Sequence, residues 1–487
     1  MKYVLKNQEM QKVDKETIER IGIPGLVLME RAALATAQEL KKRVKIQDKI
    51  LVIAGIGNNG GDALGVARIL LEGNYLVQYI VVGGEEHYSK DLKTQLGILN
   101  RLGAYPVEQV DMDDYEWIVE GIFGVGLSRE VSGEFKDMIL AINESKANVM
   151  SIDIPSGISG DTGKVLGCGI RANVTVTYGA KKRGHLLYPG REYAGEIITA
   201  DIGFFDDTFT KYATGITYDL DDLNRIPKRK KHSNKGTYGK VLIVAGQKGM
   251  AGAAYFAGKA AYRMGSGLVK ISTHEENRII LQSKIPEAVI GRWEELEQDL
   301  QWCDSIVFGP GLGVSEETKQ LFETILQKGK TPLVIDADGL NTMSYYKMKI
   351  EYDYGCIFTP HVGEAARLLN VTIQDVLDNL TKAATDLSEK YHGTIVLKDA
   401  ATLVVSEHDA VYFNQSGNHG MATGGSGDVL SGIIGSLTGR KISVKKAAKL
   451  GVYIHGLSGD EAAKEKGENS MIASDIVESL SKIVGGN

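Results

Sequence analysis

The stretch Gly417–Leu430, GNHGMATGGSGDVL, decides how this chain is read. Five glycines (Gly417, Gly420, Gly424, Gly425, Gly427) lead into an apolar run, Val429–Leu437, with helical character. A backbone without Cβ atoms can approach a ligand closely and take φ > 0. The unpaired N–H groups and dipole of a helix start favour an anion. The stretch therefore reads as a phosphate cradle with Asp428 beside it. A carboxylate there can take a proton from a hydroxyl as it meets phosphorus, or hold a metal. A turn with Asp428 as an N-cap is the plainer alternative, and five glycines exceed what capping needs.

Working back from this loop, KVLIVAG (Lys240–Gly246) reads as a strand and Ala251–Arg263 as a small-residue helix. SIVFGPGLG (Ser305–Gly313), PLVIDADGLN (Pro332–Asn341) and CIFTPHVGEAARLL (Cys356–Leu369) each open on an apolar strand ending in Gly, Asp or Thr-Pro-His. GTIVLKDAATLVV (Gly393–Val405) holds two strands, with Lys398 at the end of the first. Gly252–Ala260 approaches a P-loop but has five residues between its glycines, and Ala260 lacks the hydroxyl that would hold Mg2+. GPGLG, IDAD, TPHVGE and GGSGD together resemble the ribokinase-like superfamily, and within it the ADP- or ATP-dependent NAD(P)H-hydrate dehydratases, from about Lys228 onward. The resemblance implies nucleotide contacts at Lys398, Asp399, Ala400, Ala401, Thr402 and Gly427. It implies hydrate contacts at Ala253, Gly311, His361 and Asp428, with Asp428 catalytic. It also implies ADP as co-substrate and Mg2+ on the phosphates.

The first part of the chain alternates in the same way. Residues 7–20 and 24–43 read as helices and KILVIAG (Lys49–Gly55) as a buried strand. GNNGGD (Gly57–Asp62) reads as a turn before a helix, Ala63–Glu72. Strands follow at Tyr75–Val82, Trp117–Phe123 and Ala147–Ile154, with helices at 89–102 and 134–145. Such alternation implies a parallel sheet covered on both faces, with ligands at the carboxyl ends of its strands. GNNGGD, GIFGVGL (Gly121–Leu127) and DIPSGI (Asp153–Ile158) fall at those ends. Asp153, after a mostly apolar strand, is a candidate for proton transfer, the alternative being a turn-forming residue before Pro155. Gly55–Gly60 matches GxGxxG, but the next strand, YIVVGG, ends without the acid a dinucleotide site wants.

These three loops and YGAKKRGHLLYPG (Tyr178–Gly190) together resemble the NAD(P)H-hydrate epimerase family over about residues 5–215. The resemblance implies substrate contacts at Asn58, Asn59, Gly60, Gly61 and Asp62. It implies further contacts at Gly124, Val125, Gly126, Leu127, Ser128, Arg129 and Glu130, and at Asp153, which is catalytic. Lys182 is a further catalytic candidate. Asn59, Glu120 and Ser156 are implied as potassium ligands, and oxygen donors suit such a hard cation. Glu120 stands where the family usually has Asp, so the ion is expected to sit differently or bind more weakly. Ala63 replaces a usual Gly.

The expected architecture is α/β in two domains. A Rossmann-like three-layer sandwich spans 1–215, a linker 216–235, and a ribokinase-like α/β/α domain 236–487. The chain has 487 residues, 43% hydrophobic and 24% charged, as soluble globular proteins do. A net charge of −6 offers no basic field for nucleic acid, and KRKK (Lys228–Lys231) reads as solvated. Three scattered cysteines form no metal knuckle and suit reduced thiols in a cytoplasm. No run approaches the ~18 apolar residues of a membrane span. The resemblance implies epimerisation of hydrated NADH or NADPH by the first domain and ADP-dependent dehydration by the second; a cytoplasmic homo-oligomer is expected. A small-molecule kinase fused to a non-catalytic nucleotide-binding module is the alternative, and a nicotinamide dehydrogenase is a third.

Overall fold

The computed structural model describes residues 1–485; Gly486 and Asn487, the end of the expected second domain, lie outside the described residues. The chain divides into two compact units, Lys2–Gly215 and Ile216–Asn487, the latter together with Met1.

The N-terminal unit begins with α1 (Asn7–Glu16) and α2 (Gly25–Lys41). It then alternates through β1 (Lys49–Ala54), α3 (Asn58–Glu72), β2 (Leu76–Val81), α4 (Lys90–Arg101), β3 (Trp117–Gly121), α5 (Glu134–Glu144) and β4 (Asn148–Ile152). Two further strands, β5 (Val174–Tyr178) and β6 (Glu196–Ala200), complete a parallel six-stranded sheet in the order β2-β1-β3-β4-β5-β6. The central strands are buried on both faces, so they read as apolar runs without alternation. Leu40, Ala63, Leu64 and Leu99 pack on one face with Ile50 and Val52. Ile139 and Ile142 of α5 pack on the other with Leu51 and Ile53. This is the three-layer sandwich that the alternation predicts.

GNNGGD is not a separate turn, as the sequence suggested. It is the first turn of α3, with Gly57 as N-cap. Gly55 and Gly60 explain the difference. A Cβ on Gly60 would lie 1.9 Å from the Gly55 carbonyl oxygen, and one on Gly55 would lie 2.0 Å from that of Ile122. Backbone meets backbone here, so the helix starts directly at the strand end.

The C-terminal unit runs through β7 (Lys240–Val244), α6 (Ala251–Arg263), β8 (Leu268–Ser272), β9 (Val289–Gly291), β10 (Ser305–Phe308) and α7 (Glu316–Lys328). It continues through β11 (Leu333–Ile335), α8 (Asp338–Tyr345), β12 (Cys356–Phe358), α9 (Val362–Leu369) and α10 (Leu380–Tyr391). β13 (Thr394–Leu397), β14 (Leu403–Val405) and β15 (Val411–Phe413) precede α11 (Ser426–Gly439), α12 (Val444–Lys466) and α13 (Ala473–Val484). The strands lie in the order β9-β8-β7-β10-β11-β12-β13-β14-β15, parallel as far as β13 and antiparallel beyond it. α6, α11 and α13 pack together, and α11 lies against β7, β10 and β11. Residues 216–235 count with this unit: Tyr218 is buried, its ring 4.8 Å from that of Tyr412. No helix among the described residues is long and apolar enough to cross a membrane.

Candidate functional site

The N-terminal unit holds a cavity of about 620 Å3 at the carboxyl ends of β1, β3 and β4. That volume lies within the roughly 300–1,000 Å3 of small-molecule sites. Asn58, Asn59, Asp62, Gly124, Val125, Gly126, Leu127, Ser128, Arg129 and Asp153 all line it. Gly60 and Gly61 do not: one packs on Gly55 and the other on the Met29 side chain. Glu130 is exposed and also off the wall.

Asp153 follows β4 with φ +66, a left-handed backbone rare outside glycine and associated with functional sites. Its amide donates to the Val176 carbonyl at 2.8 Å. Lys182 pairs with its Oδ1, which also accepts from the Thr177 hydroxyl at 3.1 Å. Lys182 is 1% exposed and also donates to Thr177 at 2.9 Å. Asp62 faces the same cavity, and burial, with Asp153 and Asp14 nearby, pushes its carboxyl well above the ordinary range.

Beneath the cavity floor, Glu120 is completely buried. Its oxygens accept from the Ser151 hydroxyl at 2.5 Å, the Ser156 hydroxyl at 2.5 Å and amide at 3.1 Å, and the Ile122 amide at 3.2 Å. Burial raises its carboxyl and these bonds oppose the rise. Asn59 presents its amide to the carbonyls of Phe123, at 3.0 Å, and Ile152, at 3.2 Å.

In the C-terminal unit, Gly425 caps α11 with φ +92, which leaves Asp428 in the helix's first turn. Burial raises the Asp428 carboxyl to about 7, with Asp336 adding to the rise and Lys398 opposing it. Lys398 Nζ lies 2.8 Å from Asp336, and Ser431 donates to the other Asp336 oxygen at 2.6 Å. A Cβ on Gly427 would lie 3.4 Å from that Nζ. Lys398 opens the loop to Thr402, whose hydroxyl donates to the Asp399 carbonyl at 3.3 Å; Ala401 is buried, and burial raises the Asp399 carboxyl. His361 caps α9, accepts from the Gly363 amide at 3.0 Å, and bridges in parallel to Lys398. Burial lowers its pKa, and the Lys398 and Arg367 charges add to that. Gly311 sits against Ala253: a Cβ there would approach the Ala253 methyl to 2.9 Å.

Sequence reasoning missed Asp14, Tyr178 and Phe204 in the first site and Asp336, Glu364 and Ser431 in the second. Asp336 had a signal, as the first acid of IDAD at a strand end. Glu364, one turn into α9, is buried and raised to about 7, with Lys398 opposing and Asp336 reinforcing that rise.

Known proteins match both halves. Residues 25–184 match the family model described as YjeF-related protein N-terminus, and residues 241–482 match that described as NAD(P)H-hydrate dehydratase. The bifunctional NAD(P)H-hydrate repair enzyme of Coxiella burnetii is 37% identical over 99% of this chain and 100% of its own. The ADP/ATP-dependent NAD(P)H-hydrate dehydratase of Bacillus subtilis, co-crystallised with ATP and Mg2+, superposes with TM-score 0.52 at 28% identity, covering 55% of this chain and 98% of that one. A ribokinase-like superfamily protein of Enterococcus faecalis has the same TM-score, 0.52, and identity, 28%, covering 56% of this chain and 96% of its own. With both halves matched in order and a relative aligned from end to end, the chain belongs to the family of bifunctional NAD(P)H-hydrate repair enzymes.

Proposed function

We propose that the chain repairs hydrated NADH and NADPH, with residues 1–215 interconverting the R and S hydrates and residues 236–487 dehydrating the S hydrate at the expense of ADP. The observation that carries this is Asp428 in the first turn of a glycine-capped helix, with Lys398 and Asp336 gathered beside it.

Hydroxide is a poor leaving group, and phosphorylation improves it. Asp428 takes the proton of the substrate hydroxyl, whose oxygen attacks the β-phosphorus of ADP as AMP departs. The amides of the glycine loop and Lys398 stabilise the charge that develops. The phosphorylated oxygen then leaves as phosphate, pushed by the ring-nitrogen lone pair, and loss of a ring proton completes NAD(P)H. A base near 7 suits this task at neutral pH. His361, Gly311 and Ala253 hold the hydrate, and the Lys398–Thr402 loop and Gly427 hold the nucleotide. No group of three His, Cys, Asp or Glu side chains among the described residues is placed to hold a metal. Mg2+ on the nucleotide would be held chiefly by the substrate phosphates and water, and needs few carboxylates from the protein.

In the N-terminal unit, Asp153 moves the proton while the hydroxylated ring carbon loses its configuration, with Lys182 holding the carboxylate. The residues at the cavity floor fit potassium. Asn59, Ser156 and the carbonyls of Phe123 and Ile152 converge as oxygen donors once the Asn59 amide is turned over, an orientation ordinarily assigned from hydrogen bonding. Glu120 supplies negative charge from behind, through Ser156. Potassium there would fix the Asn59 turn against the strand ends.

The test incubates purified protein with mixed hydrate epimers, with and without ADP, and follows reduced-nicotinamide absorbance. Full recovery of both epimers, dependent on ADP and faster than the spontaneous rate, is expected. Recovery of one epimer alone removes the epimerase assignment. A phosphorylated product that accumulates with no phosphate released identifies a kinase instead.

A further inference from the structure

Asp14 lies in the last turn of α1, directly after the buried Val13, and its half-buried carboxyl lines the cavity that Asp153 and Lys182 also line. Four elements bring acids to one chamber: α1 with Asp14, α3 with Asp62, α4 with Asp91 and the end of β4 with Asp153. The carboxyls of Asp14 and Asp153 differ in their surroundings. Asp153 is held by Lys182 and Thr177. Asp14 enters no hydrogen bond or ion pair among the described residues through its side chain, and so is free to meet a ligand. The charged groups around it are Lys182, Asp153 and Asp62.

Inverting a hydroxylated ring carbon asks for more than one fixed carboxylate. The departing oxygen needs a proton, and the oxygen that arrives on the other face must lose one. By microscopic reversibility, the donor in one direction is the acceptor in the other.

We propose that Asp14 is the second proton-transfer residue of the epimerisation site, paired with Asp153 as acid and base. This rests on the epimerase reading above. Neutral Asp14 gives its proton to the substrate hydroxyl. The C–O bond breaks as the ring-nitrogen lone pair forms a C=N bond, and water departs. Water then adds to the other face of that carbon, the C=N electron pair returns to nitrogen, and the extra proton passes to Asp153. The opposite epimerisation starts from protonated Asp153 and ends with the proton on Asp14. The substrate's composition is unchanged and no oxidant or reductant takes part. Burial pushes the Asp14 carboxyl up to about 7, with Lys182 opposing and Asp153 adding, so both of its forms are populated near neutrality.

The experiment measures steady-state interconversion of purified R and S hydrates by the full chain and by its Asp14→Asn and Asp14→Glu variants, with thermal melting as the folding control. In Asp14→Asn, kcat is expected to fall by about 10²-fold or more in both directions while KM stays within about threefold. The wild-type rate falls as pH rises through about 7, and this limb is absent from the residual rate of the Asn variant. Asp14→Glu restores part of kcat. A kcat within about threefold of wild type, or a change confined to KM, overturns the proposal. So does an equal loss in the Glu variant with lowered melting, which marks a structural role. If the wild-type chain itself gives no acceleration over the spontaneous rate, the epimerase reading fails first, and the proposal with it.

Discussion

Lys398 and Asp336 form an ion pair at 2.8 Å, in which the aspartate is 1% exposed and the lysine 21% exposed. The pair joins the end of β13 to the end of β11, two strands that are not neighbours in the sheet. Ser431, one turn on from Asp428, closes the arrangement on Asp336. The lysine proposed to hold the nucleotide is therefore itself held by the buried carboxylate of Asp336.

Removing that lysine strands the charge. Lys398→Met is expected to destabilise the C-terminal unit by about 3–5 kcal/mol, the usual cost of leaving one partner of a buried pair. The double variant with Asp336→Asn recovers part of the loss, because the uncompensated charge is gone. Urea unfolding of the single and double variants measures this, and additive losses would show that the pair is not coupled.

Asp428 is expected to trade stability for activity. A carboxyl raised in the folded state contributes stability that is complete below its ordinary value of 3.8 and is lost as pH rises through about 7. Asp428→Asn therefore melts higher than wild type at about pH 8. Its ADP-dependent dehydration falls by about 10²–10⁴-fold. In wild type the dehydration rate climbs as pH rises through about 7, because the base must be ionised. A variant that keeps its rate would remove Asp428 from the chemistry.

Glu120 and potassium should be linked through pH. Burial favours the neutral form of Glu120, and a cation beside Ser156 would favour the charged form. Replacing potassium by a bulky organic cation is thus expected to lower the melting temperature of the N-terminal unit, and more at about pH 8 than at about pH 5. Glu120→Gln loses that pH dependence. Melting curves that ignore potassium at every pH would dismiss the ion site.

Asp153 and Lys182 form the corresponding ion pair of the N-terminal unit. Lys182 is 1% exposed, so Asp153→Asn leaves a buried ammonium without its counter-charge, at a cost of about 3–5 kcal/mol. Asparagine tolerates the left-handed backbone at this position, so the loss belongs to the charge and not to strain. Lys182→Met combined with Asp153→Asn is expected to regain stability while epimerisation stays absent. Equilibrium unfolding alongside the epimer assay separates the two effects.

Much of the fold was legible because local pattern and tertiary role agree. Buried parallel strands such as Lys49–Ala54 and Lys240–Val244 show as uninterrupted apolar runs, and their carboxyl ends show as glycine-rich loops. Val174–Tyr178 and Glu196–Ala200 were not read as strands. The first carries three polar or aromatic residues among its five, and the second lies at the sheet edge with no fully buried residue. GNNGGD was misread as a turn because glycines and asparagines disfavour helix locally, whereas packing against Gly55 imposes one.

The sequence by itself determined the class of both units and the order of their loops, and it singled out Asp153 and Asp428 as candidates, because each of those acids follows a strand or a glycine run that marks its place. Only the tertiary structure decided which groups surround them. Asp14 lies in a helix 139 positions before Asp153, and Asp336 lies 62 positions before Lys398. No local pattern encodes such meetings, since they arise from chain crossings that bring distant strand ends and helix termini to one cavity. The same crossings exclude water, and that exclusion raises Asp14 and Asp428 to about 7.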